Sequence, residues 1–111
     1  VQIYEGKLPA ETGTVPCEVI LLHYVNCGDG VFRLRTTPAA GSGREVFGRM
    51  YTLRGDASDR NATVLQLRSF TDSEIWNFRV GTTGLELLDA SLSRVESPTG
   101  SVWFFAAASD R

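Results

Sequence analysis

Apolar and polar positions alternate with a period of two in short runs, and no stretch of ten or more residues keeps a helical period. In IWNFRV (75–80), Trp76, Phe78 and Val80 share one face, while Ile75, Asn77 and Arg79 share the other. Phe32 and Leu34 oppose Arg33 and Arg35 in the same way. Runs of this kind are VQIYEGK (1–7), CEVILLHYV (17–25), VFRLRTT (31–37), REVFGRMYTL (44–53), TVLQLRSF (63–70), IWNFRV (75–80), LELLD (85–89) and SVWFFAAA (101–108). Turn chemistry separates them. Asp29-Gly30 in NCGDG predicts a compact hairpin turn, and PAAGSG (38–43), RGDASDRNA (54–62), TDSE (71–74) and GTTG (81–84) predict connections. A polar loop with Pro98 and Gly100 precedes the last run. Within GKLPAETGTVPCEV (6–19), the residues between the first two runs carry Pro9 and Pro16, neither of which can donate to a ladder, and read as a loop.

This pattern predicts an all-β fold of about eight strands, a small antiparallel meander β-barrel in which closure removes the sheet edges. An open sandwich is the alternative. The chain of 111 residues fits a single domain spanning 1–111 and is long enough to bury a core without disulfides or metal. Trp76, Phe78 and Val80 are expected to face inward and Asn77 to be solvated.

Charge narrows the partners. The net charge is −2, and Lys7 is the only lysine, so no basic face for nucleic acid is predicted. No apolar run approaches the roughly 20 residues needed for a spanning helix. The sequence starts at Val1 without a methionine or a charged-then-apolar leader, which reads as a processed or trimmed form. Cys17 and Cys27 are the two cysteines. A continuous strand over 17–25 would put its ends roughly 25 to 30 Å apart, against the ~7 Å limit between bridged Cα atoms, so thiols unpaired with each other are expected.

No residue set assembles into a catalytic, cofactor or metal site. His23 is the only histidine and lies in an apolar run, where a satisfied or half-exposed strand histidine is expected. Cys17, Cys27 and Met50 are soft donors in no compact metal spacing. Asp29, Asp56, Asp59 and Asp72 stand in turns, where carboxylates bind local backbone. DASD (56–59) lacks the further ligands of a calcium loop, and Arg54-Gly55-Asp56 is a three-residue match within a turn. Asn61-Ala62-Thr63 fits a glycosylation sequon, which matters only in a eukaryotic secretory setting. Tyr4, Phe32, Phe47, Tyr51, Trp76, Phe78, Trp103, Phe104 and Phe105 could line a ligand cavity, but a barrel this small is expected to fill its interior with side chains.

The order of several motifs resembles the N-terminal domain of NlpE-type envelope lipoproteins, a family linked to copper resistance and adhesion sensing. They are YEGKLPA (4–10), the strand and DG turn over 18–30, MYTLRGD (50–56), WNFRVG (76–81), LELLD (85–89) and ESPTGSVWF (96–104). The resemblance implies a lipocalin-like barrel on the periplasmic face of the bacterial outer membrane, held there only by a lipid anchor outside this chain. It implies a non-enzymatic role in envelope sensing or protein interaction, with an envelope protein as partner. A lipocalin-like carrier of a small apolar ligand is the alternative. The family's Cys-x-x-Cys after Leu-Pro is the feature linked to copper, and Ala10 and Gly13 stand in its place here. Gly48, Arg49, Met50 and Tyr51 also depart from the family's Gly-Thr-Trp.

High-affinity copper binding is therefore not expected, because the remaining soft donors are scattered. Titrating the reduced protein with Cu(I) against a competing chelator checks this; a stoichiometric sub-nanomolar complex would contradict it.

Overall fold

Each apolar run pairs with the next, and the last returns to the first. The computed structural model describes residues 2–10, 13–23, 29–38, 43–95 and 104–107. The strands are β1 (Gln2–Ala10), β2 (Gly13–His23), β3 (Gly30–Thr36), β4 (Arg44–Arg54), β5 (Thr63–Ser69), β6 (Ile75–Val80), β7 (Gly84–Leu88) and β8 (Phe104–Ala107). All neighbours are antiparallel, and β1 pairs with β8 through Tyr4↔Ala107 and Glu5↔Ala106, so the sheet is a closed eight-stranded barrel.

Register sorts side chains between the interior and the outer wall. Leu65, Phe78 and Leu87 form one inward row across β5, β6 and β7, and Leu67 pairs with Trp76 in the next. Val19, Leu21, Leu34, Met50, Leu67, Phe78, Leu85 and Phe105 are fully buried, so the barrel's middle is filled. Two edge-to-face ring pairs fix its geometry: Phe78 on Phe105 at 5.2 Å and Phe32 on Trp76 at 6.2 Å. Gly48 gives Phe32 its space. A methyl group there would overlap the Arg68 carbonyl and stand 2.6 Å from the Phe32 ring.

Three expectations are corrected. Residues 8–16 are not a loop: β1 and β2 continue through them to the Ala10↔Gly13 pair, leaving only residues 11 and 12 between the strands. The prolines are tolerated because neither interrupts a ladder. Pro16 offers only its carbonyl, to the Thr37 N–H at 3.0 Å, where the β2–β3 register ends. Pro9 lies beyond the β1–β8 seam, on a stretch of β1 without a second strand partner among the described residues. Asp29-Gly30 is not itself the expected compact turn, since Gly30 already belongs to β3 and pairs with His23; residues 24–28 lie outside the described residues. The Asp29 carboxylate instead accepts the Thr52 N–H at 3.1 Å.

Asn77 is the third. Its side chain faces outward as expected but is only 5% exposed. The connection after β7 folds back over it: Asn77 donates to the Asp89 carbonyl at 3.4 Å and accepts from Gln66 Nε2 at 3.1 Å. Val64 and Leu88, on the same outer side of the wall, are buried too. Segments 55–62 and 89–95 meet on that side through the Ala57 N–H and Leu92 carbonyl, 3.0 Å apart. The wall thus carries a second apolar layer over β5–β7.

Truncations should rank by this packing. Phe78→Ala is expected to cost about 3–5 kcal/mol, and Trp76→Ala, which is only partly buried, about 3 kcal/mol. Asn77→Ala should cost about 1 kcal/mol through its two lost hydrogen bonds. Urea melts of the variants against the parent check the order; a neutral Asn77→Ala would contradict the covering layer.

Candidate functional site

The residues weighed for chemistry are dispersed by the barrel. Cys17 points inward and is a buried free thiol, and desolvation, with a smaller contribution from Glu18, pushes its pKa up to about 12. It is therefore a core residue and a poor nucleophile or ligand at neutral pH. His23 lies six residues further along β2, roughly 20 Å away, at the exposed strand end, with its Nε2 2.9 Å from Gln2 Oε1. Met50 is sealed in the core. Cys27, Trp103 and the loop with Pro98 and Gly100 lie outside the described residues. Among the described residues, no group of three or more His, Cys, Asp or Glu is placed to hold a metal ion. At the hairpin tip, Gly13 has φ +131°, a conformation that a cysteine would rarely adopt.

The Asp56 loop is a structural device. Asp56 Oδ1 accepts N–H bonds from Ser58 at 2.8 Å and Asp59 at 2.7 Å, and from the Ser58 hydroxyl at 3.0 Å. Its Oδ2 and that of Asp59 stand 3.3 and 3.6 Å from Arg79, so a guanidinium occupies the place where a cation would sit. The Asp56 side chain is 3% exposed, so the Arg54-Gly55-Asp56 match does not present its carboxylate. Desolvation raises its pKa, but the Ser58 and Asp59 donors and Arg79 outweigh that and hold it below the ordinary value.

Two surface features have the character of binding sites. The first is a hollow at the barrel end formed by the β1–β2 tip. It measures about 310 Å³ and is walled by Leu8, Val15, Leu34, Val46 and Trp76, with Thr36 at the rim. Arg44 makes a two-pronged ion pair with Glu74 beside it. Trp76, in its wall, packs edge-to-face on the buried Phe32 of the barrel interior.

The second lies on the outer wall. Phe47, Phe70 and Ile75 are 52%, 60% and 49% exposed, large values for apolar side chains. They are neighbours: the Phe70 N–H donates to the Phe47 carbonyl at 3.1 Å, and Ile75 pairs with Arg68. Arg49 pairs directly with Arg68, each two residues along the chain from Phe47 and Phe70 respectively. The Arg68 guanidinium lies 5.6 Å from the Tyr51 ring centre and donates to Gln66 Oε1 at 3.0 Å. A concavity of about 230 Å³ joins Arg49, Tyr51, Arg68, Phe70 and Asp72.

Sequence reading missed this face. Phe47 and Tyr51 were expected among interior or cavity-lining aromatics, yet the register turns both outward, and Phe70 drew no expectation. In REVFGRMYTL both phases of the alternation carry apolar residues. The deciding signal was that Phe47 and Tyr51 are in phase with Glu45 and Arg49, whereas Val46 and Met50 are in phase with Gly48.

The fold and surface define a class: a small closed β-barrel with a filled interior, an apolar cup at one end and an aromatic–arginine patch outside. No family model, curated protein or solved structure matches the chain.

Because the folded Asp56 pKa is lowered, its contribution to stability is present above the unfolded aspartate range near about pH 4 and is lost as pH falls through the lower folded value. Asp56→Asn should be less stable than the parent at neutral pH, and the gap should narrow under acid. Thermal melts from neutral to acid pH check this; a gap that stays constant would contradict it.

Proposed function

We propose that this barrel is a non-enzymatic protein-interaction domain of the bacterial envelope, presented on the periplasmic face of the outer membrane. The exposed Phe47–Phe70–Ile75 face beside Arg49 and Arg68 carries the proposal. Aromatic residues and arginine dominate protein-binding hot spots, because they offer large contact area together with directed hydrogen bonds. The packed middle supports this reading, since the described inward side chains fill it. The envelope setting rests on the motif order shared with NlpE-type lipoproteins, and a signal peptide ending in a lipobox cysteine, encoded upstream of Val1, would support it.

The cup at the β1–β2 end favours a second reading, a carrier of a small apolar ligand. Its volume of about 310 Å³ lies at the lower end of the ~300–1,000 Å³ usual for small-molecule sites.

Photo-crosslinking in intact cells separates the two readings. A benzoylphenylalanine replacing Phe47 or Phe70 should give discrete protein adducts, and the same probe at exposed Thr82 should not. Equal labelling at all three positions would contradict the interaction reading. Binding of an apolar fluorophore lost in Trp76→Ala, with no adducts at Phe70, would establish the carrier instead.

A further inference from the structure

Among the other described arginines most stand beside carboxylates, Arg54 and Arg60 excepted. Glu18 lies 3.6 Å from Arg33 and 3.2 Å from Arg35, and Arg33 lies 3.6 Å from Glu45. Arg79 is held by Asp56 and Asp59, and Arg94 by Glu86. Arg49 and Arg68 break this pattern. They are direct cross-strand partners, and neither has a carboxylate within ion-pair distance among the described residues. Like charges placed directly opposite are destabilising, and no ion pair among the described residues relieves this repulsion.

The arrangement is also prepared for an acceptor. Tyr51 and Gln66 position the Arg68 guanidinium, and its Nε is buried without a hydrogen-bond partner. A buried donor left unpaired is costly, and that cost falls on the same side chain that Arg49 opposes. The concavity beside the pair, about 230 Å³, has room for a carboxylate. Asp72 lies on its rim and opposes an incoming anion.

We infer that Arg49 and Arg68 are a recognition site for a carboxylate side chain on a partner protein, with an apolar neighbour of that side chain seated against Phe47 and Phe70. The inference rests on the interaction reading above and names the chemistry of the partner. Charge complementarity selects the acidic group, and planar guanidinium groups suit a two-pronged carboxylate contact. The three exposed apolar residues alongside select a protein segment, since a small anion would leave them uncovered.

The test is an NMR titration of the isotope-labelled domain with the peptide Ac-Glu-Trp-Glu-Leu-amide and its Gln-for-Glu counterpart, following arginine Nε–H and backbone signals. The acidic peptide should shift Arg49, Arg68, Phe47 and Phe70 saturably. Binding should weaken roughly ten-fold with the neutral peptide or in Arg49→Gln, and tighten in Asp72→Asn. The free Arg49→Gln variant should melt about 2 °C higher than the parent, because the repulsion is removed.

Equal affinity for both peptides overturns carboxylate recognition and leaves the interaction reading standing. Inorganic phosphate shifting the arginines as strongly as the peptide overturns the protein-segment assignment. A lower melting point for Arg49→Gln removes the repulsion argument. The absence of saturable shifts with either peptide overturns the inference, while crosslinking at Phe70 decides the interaction reading independently.

Discussion

Where β8 meets β1, Tyr4 and Glu5 pair with Ala107 and Ala106, and this short seam converts a meander into a barrel. Closure leaves no free sheet edge along the seam, and it sets the radius that the interior side chains must fill. Phe78 and Phe105 meet edge to face in that interior, Phe105 on β8 itself, so the closing strand also contributes to the core. Gly48 belongs to the same constraint. The wall and the Phe32 ring approach so closely there that a side chain would force them apart. A filled, closed barrel has few places left for function: its ends and its outer wall.

The outer wall divides into regions with different physics. Across β2–β4, glutamates stand among arginines in ion pairs, a solvated arrangement that adds little stability. Over β5–β7, the connections 55–62 and 89–95 cover the wall and bury Val64, Asn77 and Leu88. Between these regions, the outward residues at the β4–β6 junction are left both apolar and unneutralised. An exposed aromatic cluster beside an arginine pair works against solubility and against stability, and such conflicts concentrate where a surface serves binding.

The cup at the β1–β2 end follows from the length of that hairpin. Because both strands continue to the Ala10↔Gly13 pair, Leu8 and Val15 stand above the packed middle and wall the hollow with Trp76. The tip itself closes through the Ala10↔Gly13 pair. Its backbone at Gly13 is shaped for glycine, so the tip serves the hairpin's geometry.

Alternation alone determined that this chain is a β protein with eight strands in meander order, and that Trp76, Phe78 and Val80 face the core. Period-two patterning is local, and turn residues at the boundaries are local too, so both are legible without coordinates. The extent of the first hairpin was not legible. Whether a proline interrupts a ladder depends on whether its nitrogen faces a paired strand, and only the register shows that Pro9 and Pro16 do not. The burial of Asn77 and Val64 was likewise hidden, because segments distant in sequence cover them. The candidate site was the least legible part. Phe47 and Arg49 lie on β4, Arg68 on β5 and Phe70 just past its end, and nothing in either strand says which arginine stands opposite the other. That pairing, and the absence of a carboxylate beside it among the described residues, exists only once the register brings the strands together.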